Sequence, residues 1–168
     1  MGQQSHVTDR NLQAEPGLDN PGVQFPPPLV FLSAVLAGAA IDRFIPIRVL
    51  PPGLTSLLGG TVLLIAFILS AMFFWEFFNA GTTIRPDRHV SALVTTGPFR
   101  YSRNPGYVAS AMFQAGIGIW LNNVWVVALL IPALIWIRWR VIAFEERYLT
   151  RRFGQAYLDY QAKVRRWL

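Results

Sequence analysis

The chain has 168 residues, of which 53% are hydrophobic and 14% charged; its formal net charge is +6 and it contains no cysteine. That apolar share exceeds the roughly 45–50% of soluble domains, and its concentration in blocks points to one membrane domain. Disulfides, thiol nucleophiles and thiolate zinc sites are excluded. Neither histidine, His6 or His89, has a metal-ligand neighbour at helical spacing, so no metal is expected.

Residues 1–27 are polar and rich in Gly, Pro, Asn and Gln, and are expected to form a mobile tail. Without an apolar core they do not make a cleavable signal peptide. Residues 28–168 are expected to form a single domain. The first hydrophobic helix is predicted from about Leu29 to Phe44, with Asp42-Arg43 marking its exit and Pro46, Pro51 and Pro52 the following turn. It is short for a span, which typically needs ~20 residues. The second, from about Leu54 to Ala80, has one charge, Glu76, among Phe73, Phe74, Trp75, Phe77 and Phe78. Such an aromatic cluster suits a membrane interface. Residues 81–105 read as a polar loop, since Gly81, Pro86, Gly97, Pro98 and Pro105 oppose a long helix.

From Asn104 to Ile137 no charge occurs. One helix of that length would be about 50 Å long, so Asn122-Asn123 is read as the turn between two helices, roughly 106–121 and 124–140. Beyond Arg140, Leu149, Phe153, Tyr157, Tyr160, Val164 and Trp167 recur every three or four residues and give one apolar stripe. Arg151, Arg152, Lys163, Arg165 and Arg166 lie largely off it. This segment is expected to lie along the membrane surface, broken at Gly154, with Tyr157, Tyr160 and Trp167 as interfacial anchors. The expected fold is therefore all-α and polytopic, with about four transmembrane helices and a cytoplasmic amphipathic C-terminal helical segment.

The basic residues do not point to nucleic acid, because they collect where the apolar segments end. Arg10, the four arginines of the 81–105 loop and the eight basic residues from Arg138 onward share one side in a four-span topology. Only Arg43 and Arg48 fall on the other. The positive-inside rule makes the rich side, with both termini, cytoplasmic, where the charges face anionic lipid.

On that side lies the densest motif, Gly97-Pro98-Phe99-Arg100-Tyr101-Ser102-Arg103-Asn104-Pro105-Gly106-Tyr107. Glu145-Glu146 follow the last apolar segment. Guanidinium groups bind carboxylates bidentately, whereas carboxylates and aromatic faces suit cations. Arg103, Tyr107, Glu145 and Glu146 are thus the groups needed to hold S-adenosylmethionine, which carries a carboxylate, an ammonium and a sulfonium. The small residues Ala111, Ala115, Gly116 and Gly118 allow close approach of a cofactor or another helix.

The run GPFRYSRNPGY, the paired glutamates and the ending FGQAYLDYQAKVRRW resemble the isoprenylcysteine carboxyl methyltransferase and phospholipid methyltransferase superfamily. AGTTIRPDRHVSALVTTGPFRYSRNP is similar to its small bacterial members in particular. The resemblance covers about residues 20–168. The family's Arg-His-Pro-x-Tyr motif matches Arg103, Asn104, Pro105 and Tyr107, and its glutamate pair matches Glu145 and Glu146. Its glycine-x-glycine element matches Gly116 and Gly118. Asn104 stands where the carboxyl methyltransferases have histidine. A cofactor hydrogen bond stays available there, while the prenylcysteine substrate is less well specified.

The resemblance implies an S-adenosylmethionine-dependent methyltransferase of a prokaryotic plasma membrane, releasing S-adenosylhomocysteine. Its acceptor would be lipophilic: an isoprenylcysteine-like carboxylate, a phospholipid amine or a thiol. It implies catalytic roles for Arg100, Arg103 and Glu146, and cofactor contacts from Arg103, Asn104, Pro105, Tyr107, Gly116, Gly118, Glu145 and Glu146. Arg100 or Arg152 would orient an anionic acceptor. Blander readings exist for each residue. The arginines suit lipid phosphates, the glutamates suit solvent, and Gly116 and Gly118 suit helix packing. Glu76 invites a rival class, a small transporter or channel subunit centred on a carboxylate within the span. His89 reads as solvated.

Overall fold

A computed structural model describes residues 26–81 and 93–168. Residues 1–25 of the expected tail, and Arg85, Arg88 and His89 of the loop, lie outside the described residues. Among those described, the regular structure is entirely helical. It comprises α1 (Pro27–Phe44), α2 (Pro52–Asn79), α3 (Pro105–Trp120), α4 (Val124–Ala128), α5 (Leu130–Ile137), α6 (Ala143–Phe153) and α7 (Gln155–Lys163). A 3₁₀ turn, Gly97–Arg100, precedes α3, and a π turn, Arg138–Ile142, joins α5 to α6.

Proline sets the start of the first three helices, since its fixed φ suits the first turn and its missing N–H is not needed there. α1, α2 and the stretch Val124–Phe153, which takes in α4, α5 and α6, are long and apolar enough to cross a membrane. With 16 residues α3 is shorter, reaching about 24 Å. It lies inside the bundle, packed along α2 and touching α1, α4 and α5. Chains of exposed apolar side chains, such as Leu57, Leu64 and Phe67 on α2 and Ile131 and Ile135 on α5, form the outer surface.

Glycine brings the helices together. A side chain at Gly59 of α2 would meet the backbone N of Trp120 at 2.5 Å. At Gly38 of α1 it would meet that of Val126 at 2.6 Å. At the end of α3, Asn122 adopts φ +49° and clamps the α1–α2 connection. Its Oδ1 accepts from the backbone N–H groups of Val49 and Leu50, both at 3.1 Å, and its Nδ2 donates to the Leu50 carbonyl at 2.7 Å. Asn123 caps α4 by accepting from the Val126 N–H. The turn expected at Asn122-Asn123 is therefore built from both amides.

The helix expected over 124–140 is not continuous. Pro132 has no N–H for the Ala128 carbonyl, and the helix breaks at Leu129 before the ladder resumes with Ala133 N–H to the Leu129 carbonyl at 3.2 Å. Buried Gln114 of α3 donates to the Val126 carbonyl beside the break, at 2.9 Å. Phe31 of α1, Ala133 and Ile137 of α5, and Val141 and Ile142 of the π turn form a core cluster against which Tyr107 and Trp167 pack. Gly154, at φ +54°, separates α6 from α7 as expected.

Candidate functional site

The site assembles where α2 ends, α3 begins and the chain terminates. Gly97 takes φ +55°, a conformation glycine adopts without steric cost. A side chain there would run into the Glu76 carboxylate, which accepts a hydrogen bond from the Thr96 hydroxyl. Phe99 then packs against the Phe73–Phe77 pair, its ring centroid 5.7 Å from each. Its carbonyl accepts from the Tyr160 hydroxyl at 2.7 Å. Buried Ser102 turns the chain into α3, its Oγ accepting from the Asn104 N–H at 3.1 Å.

That entry fixes Arg103 and Asn104 against the C-terminal residues. The Arg103 N–H donates to the Arg165 carbonyl at 2.9 Å, and Asn104 Nδ2 to the Arg166 carbonyl at 2.9 Å. Half-buried Trp167 packs against the core cluster just beyond. The final residues thus complete the site rather than trail away from it.

On the opposite wall, the π turn inserts an extra residue into the helix, rotating the residues after it by about 100° relative to an uninterrupted α-helix. Val141 and Ile142 are both buried, and the first turn of α6 carries Glu145 and Glu146. Tyr107 donates its hydroxyl to Glu145 Oε1 at 2.7 Å. Glu146 receives two guanidinium groups. Arg166 donates Nε to Oε1 at 2.9 Å and Nη2 to Oε2 at 2.6 Å, a bidentate pair, while Arg103 Nη1 lies 3.2 Å from Oε1. The side chains of Arg103 and Glu146 are only 12% and 13% exposed, so this pairing escapes most of the screening that weakens surface ion pairs.

Of the residues singled out by sequence, Arg103, Asn104, Tyr107, Glu145 and Glu146 are brought together. Pro105 is buried at the first position of α3. Arg100 and Arg152 are exposed. Gly116 and Gly118 lie further along α3 as packing surfaces. Side chains there would meet Leu63 of α2 at 2.8 Å and Val127 at 2.6 Å, respectively. Glu76 holds the Thr96–Gly97 turn at the end of α2.

Three expectations are corrected. Tyr157 and Tyr160 are not surface anchors, being 2% and 8% exposed, whereas half-buried Trp167 packs against the core cluster. The apolar stripe is buried or half-buried along its length. Arg166, read as part of the basic face, turns inward to Glu146. Ser102 and the π turn carry no sequence signal; the position of Arg166 beside Trp167, at the edge of the stripe, is the one hint available.

Burial pushes the Tyr157 hydroxyl above the ordinary tyrosine range, although nearby Gln161 and Arg103 pull the other way. Burial likewise raises Tyr160, with Tyr157 beside it adding to the effect. Hydrogen bonding to Glu146 raises Arg166 further above its already high value. Arg166 is therefore a permanent cation.

Chemically, the cluster joins two guanidinium groups and two carboxylates in a largely buried setting. Both Glu146 oxygens are taken by arginine, whereas Glu145 is bonded through Oε1 to Tyr107. Arg103 Nε is buried without a partner. A site with a spare donor beside a partly committed carboxylate fits a small zwitterion carrying a carboxylate and cationic groups.

The phospholipid methyltransferase family matches the chain over residues 54–156, more than half its length. Protein-S-isoprenylcysteine O-methyltransferase B of Arabidopsis thaliana is 29% identical over 113 residues, 67% of this chain. The match covers 55% of that protein, so the chain spans about half the length of this curated relative.

Proposed function

The chain belongs to the phospholipid methyltransferase family, and on that premise we propose that it transfers methyl from S-adenosylmethionine to a lipid-soluble acceptor at the membrane surface. The observation that carries the reading is the union of Arg103 with Glu146 and of Tyr107 with Glu145, across some forty positions of sequence. Bound S-adenosylmethionine supplies an electrophilic methyl group on a sulfonium, and its displacement yields S-adenosylhomocysteine.

Each residue has a distinct task in this reading. Arg103 offers its unpartnered Nε–H to a carboxylate. Glu145 Oε2 offers negative charge to a cationic group, while Tyr107 fixes the other oxygen. Glu146 is a positioning residue, because both its oxygens hold Arg103 and Arg166 in place. Asn104 keeps Oδ1 as an acceptor while its Nδ2 ties the chain end to the site. Together these groups align donor and acceptor and exclude water, the main requirement of an in-line displacement.

The acceptor class supported first is a lipophilic carboxylate, the substrate type in the name of the Arabidopsis relative. Such a group is ionised at neutral pH and needs no base, and exposed Arg100 and Arg152 are available to it. The family's description favours a second class, a phospholipid. The test is label transfer from methyl-labelled S-adenosylmethionine by protein reconstituted in vesicles, offered prenylated thiol-acids, aminophospholipids or hydrophobic thiols. Label in the prenylated acid supports the first class; label in aminophospholipid or thiol overturns it for the second or third. No label in any lipid-soluble product overturns the enzymatic reading.

A further inference from the structure

Among the described residues, three buried side-chain polar atoms lack a hydrogen-bond partner: Arg103 Nε, Gln114 Oε1 and the Tyr148 hydroxyl. A buried phenol normally has a partner, because desolvating a hydroxyl without one is costly. Gln114 is explained by the helix break, since its amide nitrogen serves the Val126 carbonyl. Arg103 already belongs to the site. Tyr148 is 6% exposed and has no such explanation.

Its position supplies one. Tyr148 is three residues after Glu145 on α6, so the two share a helix face with Cβ atoms about 5–6 Å apart. Glu145 is the carboxylate already joined to Tyr107, one wall of the cluster. The residue with the unmet hydroxyl therefore lies one turn along α6 from Glu145, and the unmet guanidinium N–H belongs to Arg103, the partner of Glu146 across the cluster.

We propose that Tyr148 is a further ligand-contacting residue of this site, its hydroxyl completed by a polar atom of the bound adenosyl cofactor. The proposal rests on the cofactor reading above and assigns a residue that the Arg103–Tyr107 motif and the glutamate pair do not include. Because the hydroxyl is inaccessible, the ligand reaches it only when the side chains covering it part. Occupancy and local opening are thus coupled.

The experiment compares wild type with Tyr148→Phe, which keeps the ring and removes only the hydroxyl. Titration with S-adenosylhomocysteine and thermal unfolding with and without it are the two readouts. The variant is expected to bind about three- to tenfold more weakly, the loss of one net hydrogen bond. Without ligand it is expected to unfold at the same or a higher temperature, since an unsatisfied buried group has been deleted. Unchanged affinity in a folded variant overturns the proposal and leaves the cofactor reading intact. A drop in unliganded stability together with unchanged affinity assigns the hydroxyl a purely structural bond, which also overturns it. Failure of wild type itself to bind overturns both readings.

Discussion

Glu146 is the residue on which most of the site converges. Its two oxygens hold guanidinium groups from Arg103, 43 positions earlier, and Arg166, 20 positions later. Hydrogen bonds to charged groups contribute roughly 1.5–3 kcal/mol each, and removing one partner strands the others. Glu146→Ala is therefore expected to lose about 2 kcal/mol of stability or more. Adding Arg166→Ala should cost much less than it does alone, because the pair is coupled. Chemical unfolding of the two single variants and the double variant measures this; strictly additive losses would contradict the clasp. Sequence made Arg103, Tyr107 and the glutamates legible because their types match one ligand's charges. It left Arg166 hidden, since nothing in local spacing distinguishes an arginine that turns inward from one that faces lipid phosphate.

The buried tyrosines of α7 carry a pH signature. Burial raises Tyr157 and Tyr160 above the ordinary value, near 10 in unstructured chains. In the folded state the proton is held more tightly, so their contribution to stability is complete below about pH 10 and declines as pH rises toward the folded-state values. A tyrosinate absorbance titration should show a late-ionising fraction that shrinks in Tyr157→Phe and again in Tyr160→Phe. Full ionisation near pH 10 with the fold intact would contradict their burial. Tyr160→Phe should also free the Phe99 carbonyl and loosen the turn before α3.

At the level of elements, α2 and α3 approach so closely that backbone meets backbone at Gly59 and Trp120. Gly59→Ala leaves no flexible side chain to yield, so the helices must separate, at a cost of ~1–3 kcal/mol. Gly53→Ala, in the first turn of the same helix with nothing within 4 Å, is the matched control. It should be neutral or slightly stabilising through the unfolded chain. Thermal unfolding in detergent compares them, and equal midpoints would contradict the close packing. Helix existence and the Asn122-Asn123 turn were legible from apolar run lengths and turn chemistry. The break at Leu129 comes from Pro132, whose local effect is masked in the sequence by strong hydrophobicity on either side. The π turn, in which Val141 and Ile142 are buried, has no comparable marker in the sequence.

For the whole molecule, apolar blocks separated by basic clusters announced a multi-pass membrane protein. The short α3, Pro105–Trp120, matches the helix expected over 106–121. Neighbouring helices α1, α2, α4 and α5 pack around it. α3 links the two ends of the bundle, with the Asn122 clamp at its end and the Arg103–Glu146 cluster at its start. Acceptor class was not legible, because the groups proposed to hold a charged cofactor would be the same whichever atom receives the methyl.

The measurement that bears most directly on cofactor binding at this cluster is calorimetric titration of the purified protein with S-adenosylmethionine and S-adenosylhomocysteine, repeated on the Glu145→Ala/Glu146→Ala variant. Saturable binding of both ligands by wild type, with at least tenfold loss in a variant that remains folded, is the expected result. Equal affinity in the two proteins, or no binding by wild type, would contradict it.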